Sequence, residues 1–213
     1  MTKKQRAALA VEALKALYPE AVCSLNAADP LQLLIATRLS AQCTDARVNM
    51  VTPALFARFP TLADFAAATP DEIGKYIRSC GLYKTKARDI VAACVMLRDV
   101  YDGVMPDTVD ELTKLPGIGR KTANLICGDV FGKPAVVADT HCIRIAGRIG
   151  LTDGSKDPYK VEIQLKKVLP PEESNAFCHR IVHFGRDICT ARSPRCGECP
   201  LAEFCKSVIV KTQ

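Results

Sequence analysis

Apolar residues along this chain recur every three or four positions rather than alternating. Ile90, Cys94, Leu97 and Tyr101 lie on one such stripe, and Phe177, Ile181, Phe184 and Ile188 on another. Helix-start chemistry precedes the stripes. Asp29-Pro30 stands before LQLLIATRLSAQ, Thr69-Pro70-Asp71-Glu72 joins a capping box to a first-turn proline, Asp107 opens DTVDELTKL, Asp157-Pro158 opens YKVEIQLKKVL, and Ser174 opens NAFCHRIVHFGRDI. At the start, MTKKQRAALAVEALKALYPE puts Ala10, Ala13, Leu14 and Leu17 at helical spacing, with Glu12 and Lys15 breaking the apolar run. It reads as an amphipathic helix, not a signal peptide. Almost nothing has period two, and Ala135 to Ala138 suits either a strand or a buried turn. The pattern predicts an all-α fold, and Gly132-Lys133-Pro134 marks the end of a central helical unit.

Composition narrows the class. The 213 residues are 48% hydrophobic and 24% charged, which excludes a disordered chain and leaves room for one large or two small domains. No apolar run approaches the ~20 residues that span a bilayer. A net charge of +6 permits a polyanionic partner without demanding one, and 6% aromatics with no Trp argues against stacking platforms for single strands. Eleven cysteines, an odd number without an export signal, point to reduced thiols or metal ligation in a cytoplasmic protein. Cys23, Cys43, Cys80, Cys94, Cys127, Cys142 and Cys178 are scattered and read as small core hydrophobes.

Chemistry concentrates in three places. Leu115-Pro116-Gly117-Ile118-Gly119-Arg120-Lys121-Thr122-Ala123 joins two helical patterns through a short glycine turn, where the unpaired N–H groups of the following helix would welcome an anion. Arg120 and Lys121 sit in that first turn, where the helix dipole disfavours cations. Lys121 reads either as a phosphate contact or as a nucleophile, because a helix N-terminus and partial desolvation both destabilise an ammonium. In Val136-Val137-Ala138-Asp139-Thr140-His141, Asp139 reads as an N-cap that can also serve as an aimed carboxylate. Cys189-x6-Cys196-x2-Cys199-x5-Cys205 can close around one metal centre, and its spacing is equally compatible with zinc or a [4Fe-4S] cluster. Between its first two cysteines, Arg192 and Arg195 read as a solvated loop or a second phosphate contact. His179 and His183 lack the neighbouring Glu of a zinc-protease pattern.

LPGIGRKTA, VVADTH and the four-cysteine tail, with Leu39-Ser40-Ala41-Gln42-Cys43-Thr44-Asp45 and Gly81-Leu82-Tyr83-Lys84-Thr85-Lys86-Ala87, resemble one family over nearly the whole chain: endonuclease III, the DNA glycosylase/AP lyases of base-excision repair. The resemblance implies two helical domains, residues 24–133 with a helix-hairpin-helix and residues 1–23 plus 134–213 with a [4Fe-4S] cluster, and a DNA groove between them. It implies Lys121 as the nucleophile and Asp139 as its assisting carboxylate. It implies Gln42 and Leu82 as wedges that hold the gap left by a flipped nucleotide, whereas the residues alone read as a helix-end Gln and a core Leu. Gly117, Gly119, Arg120, His141, Arg192 and Arg195 become DNA contacts, and Cys189, Cys196, Cys199 and Cys205 become cluster ligands, favouring [4Fe-4S] over zinc. The expected activity is removal of oxidised or ring-saturated pyrimidines from damaged double-stranded DNA by a monomeric, nucleoid-associated protein of prokaryotic origin. The adenine glycosylases of the superfamily lack the lysine and carry a further C-terminal domain. Cys43 and Cys80 depart from the family's usual residues. The alternative from another class is a non-catalytic DNA-binding or redox iron-sulfur module.

Overall fold

The computed structural model describes residues 1–208, and among them every regular element is helical. The chain divides into two compact units, one of Cys23–Phe131 and one that joins Met1–Val22 to Gly132–Gln213.

The central unit contains α2 (Pro30–Leu39), α3 (Asp45–Arg58), α4 (Leu62–Ala67), α5 (Pro70–Ile77), a single 3-10 turn (Arg78–Cys80), α6 (Tyr83–Val100), α7 (Val109–Leu112) and α8 (Arg120–Asp129). Asp29 caps α2 by accepting the Gln32 amide, and the Thr69–Glu72 capping box opens α5, both at the positions the sequence marked. Asp107 does not cap the next helix. Thr108 does, because its hydroxyl accepts the Glu111 amide, and the helix is a single turn. Helix α6 buries Ile90, Cys94 and Leu97 and packs on α4 and α5, while Tyr101 ends up as its half-exposed C-cap. Helix α8 packs on α2 and α7 and buries Ala123, Leu125 and Ile126. A fully buried aliphatic side chain is worth about 1.5–3 kcal/mol.

The second unit holds α1 (Lys3–Leu17), α9 (Thr140–Ile149), α10 (Pro158–Lys166) and α11 (Ser174–Asp187). The buried stripe of α1 is Ala7, Ala10, Val11 and Leu14, facing α11; Leu17, expected on that face, is exposed because the chain leaves the helix there. Lys15 and Arg180 both pair with Glu173, at 2.6 and 2.7 Å, and this holds α1 to the start of α11. Ser174 is the first residue of α11 rather than its cap, since its hydroxyl donates to the Pro171 carbonyl. Residues Ala135 to Ala138 form a buried run with no sheet partner that ends in a tight turn, where the Asp139 amide donates to the Val137 carbonyl at 2.9 Å; the Val137 amide donates to Cys178 Sγ at 3.2 Å. Of the scattered cysteines, Cys80, Cys94, Cys127, Cys142 and Cys178 are buried, and Cys23 and Cys43 are half-exposed.

Candidate active site

In the central unit, the turn between α7 and α8 anchors itself with Leu115 and Ile118, both buried, and turns Gly117 and Gly119 outward. Gly117 has φ +74°, and a Cβ there would stand 2.6 Å from Arg38 Nε and 2.7 Å from Asp89 Oδ2. Arg38 and Asp89 form a largely buried ion pair at 2.7 Å, so the turn rests on a rigid charged base that only glycine can approach. Gly119 has no such constraint. Nothing lies within 4 Å of its would-be Cβ, and it caps α8 without a side-chain hydrogen bond. Arg120 is half-exposed and Lys121 exposed, so the partial burial expected of Lys121 is absent; it stands in the first turn behind an exposed glycine. Cys23 lies close enough to feel Lys121, Asp129 and Asp45, and burial pushes its thiol up to about 11. Those neighbours could not be read from sequence distance.

Two further loops of this unit carry Gln42 and Leu82. Both residues are exposed and left-handed, with φ of 54° and 47°. Leu82 is 60% exposed, which overturns its reading as a core residue. Holding a non-glycine residue in this conformation costs roughly 1–3 kcal/mol, and an exposed leucine recovers none of it. Strain of this kind persists where the surrounding structure imposes it.

In the second unit, Asp139 caps α9: its Oδ1 accepts the Cys142 amide at 2.7 Å. The buried run before it and the buried Cys142 after it leave the half-exposed carboxylate little freedom. A side-chain hydrogen bond with Cys178 first, and burial second, raise the Cys142 thiol far above its ordinary range. The His141 ring lies 3.2 Å from the Arg144 guanidinium, and α9 and α11 approach closely because Gly185 has no side chain.

The four C-terminal cysteines line one recess with Ile149, Phe184 and Leu201. Cys199 feels all three of the others, and its thiol is raised mainly by burial. Four inward-facing sulfurs in an apolar wall suit a positive metal centre, which would reverse that cost by binding thiolates. Among the described residues, no three His, Cys, Asp or Glu side chains close to single-ion spacing. Arg148 donates to Cys189 Sγ at 3.4 Å and to the Thr190 carbonyl at 2.7 Å. Arg195 donates twice to the Asp187 carbonyl and pairs with Glu198 at 3.0 Å, so it braces the loop, whereas Arg192 is exposed.

Comparison with known proteins agrees with this geometry. The family model of the HhH-GPD superfamily base excision DNA repair proteins matches residues 35–171, and the iron-sulfur binding domain of endonuclease III matches residues 189–205, from the first cysteine of the tail to the last. Endonuclease III of Synechocystis sp. is 46% identical over 97% of this chain and 94% of its own length, and that of Escherichia coli K12 is 38% identical over 88% and 89%. A solved structure of a trapped endonuclease III–DNA covalent intermediate superposes with a TM-score of 0.90 at 44% identity, covering 97% of each chain. The resident cofactor is accordingly a [4Fe-4S] cluster, and the chain belongs to the endonuclease III family of the HhH-GPD superfamily.

Proposed function

We propose that this base-excision-repair DNA glycosylase/AP lyase acts on oxidised or ring-saturated pyrimidines in duplex DNA, with Lys121 as its nucleophile. The observation that carries the reading is the start of α8: an exposed lysine in the first turn of a helix that has no capping side chain, behind a turn that rests on Arg38 and Asp89. The α8 amides and Arg120 grip backbone phosphate, which positions the strand without reading its sequence. Gln42 and Leu82 enter the gap left by the flipped nucleotide, one contacting the orphaned base and one filling apolar space. The Lys121 amine attacks the sugar C1′, the bond from C1′ to the base breaks, and the base leaves with the electron pair and takes up the proton the amine gives up; the nitrogen lone pair then forms the C1′=N bond as the C1′–O4′ bond breaks and O4′ takes up a proton. The resulting Schiff base acidifies the neighbouring C2′, and loss of that proton expels the 3′ phosphate by β-elimination. Asp139, aimed by the α9 amide, stabilises positive charge as it develops on the sugar. Arg192 supplies a phosphate contact, Arg195 shapes the loop that presents it, and His141 adds a contact at the start of α9. Cys189, Cys196, Cys199 and Cys205 would hold the cluster, which supplies a fixed positive centre around which the loop folds.

Endonuclease III of the trapped complex, covalently joined to DNA, supports this reading by its 44% identity. Borohydride trapping on duplex DNA with an abasic site tests it. The wild-type chain should form a covalent adduct and Lys121→Ala none; equal trapping of the alanine variant would remove Lys121 from the role.

A further inference from the structure

Lys86 belongs to the GLYKTKA segment, yet no step above uses it. Its side chain is fully buried, at 0% exposure. Its Nζ donates to the Leu39 carbonyl at 2.8 Å and to the Cys80 carbonyl at 2.7 Å, and its own backbone amide donates to the Leu82 carbonyl at 3.0 Å. Leu39 is the last residue of α2 and Cys80 the last of the 3-10 turn, so one ammonium satisfies carbonyls at two helix ends that have no helical partner of their own. The two candidate wedges follow directly: Gln42 lies just past Leu39, and Leu82 just past Cys80. The thiols of Cys43 and Cys80, one from each loop, meet in a side-chain hydrogen bond beside the same amine. Carbonyl oxygens receive the charge where a carboxylate would be the ordinary partner of a buried lysine. A group chosen only for stability here would be apolar. This one joins two loops whose accepting carbonyls, Leu39 and Cys80, stand 41 residues apart in sequence, and each loop carries a left-handed residue.

We infer that Lys86 is a positioning residue: its buried ammonium fixes the two wedge loops relative to each other, so that Gln42 and Leu82 enter the duplex without first paying to be ordered. The inference rests on the wedge reading given above. Its consequence is coupling, because a residue that acts through Gln42 and Leu82 has nothing to act through once they are gone.

The test is a set of four proteins assayed under single turnover on duplex containing a ring-saturated pyrimidine: wild type, Lys86→Met, Gln42→Ala/Leu82→Ala, and the three substitutions together. Lys86→Met should slow excision by about 10- to 100-fold in the wild-type background, the scale of a roughly 1 Å misplacement, and by less than about 2-fold when the wedges are already alanine. The fluorescence of 2-aminopurine opposite the lesion, which reports unstacking in the bound complex, should fall in Lys86→Met as it does in the wedge variant. An equal slowing in both backgrounds makes Lys86 a general structural residue and overturns the inference while leaving the wedges intact. Full activity of Gln42→Ala/Leu82→Ala overturns the wedge reading itself, and the inference with it. Lys86→Arg retains donors for both carbonyls and should recover most of the rate lost in Lys86→Met. Where the methionine variant does not accumulate as folded protein, the same comparison of backgrounds is made with Lys86→Gln, whose shorter side chain cannot bridge both carbonyls and should slow excision only when the wedges are present.

Discussion

Helix α8 starts at Gly119 with no side chain on its first amides and with two cations in its first turn, whereas α9 starts at Asp139, whose carboxylate already holds the Cys142 amide. Both are ten-residue helices of one chain. The first start forgoes the few tenths of a kcal/mol that a side-chain cap adds over glycine, and so leaves its donors open to an anion. The second fills its donors with an anion of its own and so holds a charge in a fixed place. A helix start can thus be kept open for a ligand's phosphate or closed upon a carboxylate that works elsewhere. The side chain at one position decides which.

The largest expected effect separates charge from capping at α9. Asn caps as well as Asp, so Asp139→Asn should leave stability within about 0.5 kcal/mol and slow base excision by on the order of 10² to 10³-fold, with DNA affinity little changed. A large loss of affinity, measured by titration, would reduce Asp139 to a cap. Next comes the base under α8. Gly117→Ala forces a Cβ against Arg38 and Asp89 at positive φ and should lower unfolding free energy by about 2–3 kcal/mol in urea titration. A neutral outcome there would mean that the hairpin is not seated as described.

Converting one start into the other sharpens the contrast further. Gly119→Asn should raise stability by a few tenths of a kcal/mol through the new cap and weaken DNA binding by about 3- to 10-fold, because the amides are then occupied. Stronger binding in a filter or anisotropy assay would contradict the open-start account. The smallest effect is a control at neither start. Glu173 is held below its ordinary 4.5 by its hydrogen bond to Lys15 first and Arg180 second. A depressed carboxylate adds stability that is present above that ordinary value and is lost as pH falls through the folded one. Glu173→Gln should therefore lower Tm by about 2 °C at neutral pH and show a smaller further loss than wild type when melted below pH 4.5, with excision unchanged.

What could be read from the sequence was what the chain does locally. Caps at Asp29, Thr69, Asp139 and Asp157 bind amides two or three residues away, so the pattern carries them. The same short range explains the errors: Thr108 stands next to Asp107 and offers an equally good oxygen, and a serine at a helix start can turn its hydroxyl back to a carbonyl. Leu82, taken by its residue type alone, reads as core because leucine is usually buried, yet it is 60% exposed, and the burial of Lys86, which its residue type does not announce, is settled by carbonyls up to 47 residues away. The Arg38–Asp89 base beneath Gly117 spans 51 residues and was invisible for the same reason. The four-cysteine tail was legible as a metal centre from spacing alone, but the choice of iron-sulfur came from the family resemblance.

The unit that contains the cysteine recess is assembled from both ends of the chain, and this has a consequence for its birth on the ribosome. Helix α1 emerges first and cannot cover Ala7, Ala10, Val11 and Leu14 until α11 has been made, a wait of roughly ten to thirty seconds at ordinary rates of synthesis. Throughout that interval the central unit can finish folding, while an apolar helix waits in solvent for the partner that will shelter it, a window in which chaperones have their best hold on the nascent protein.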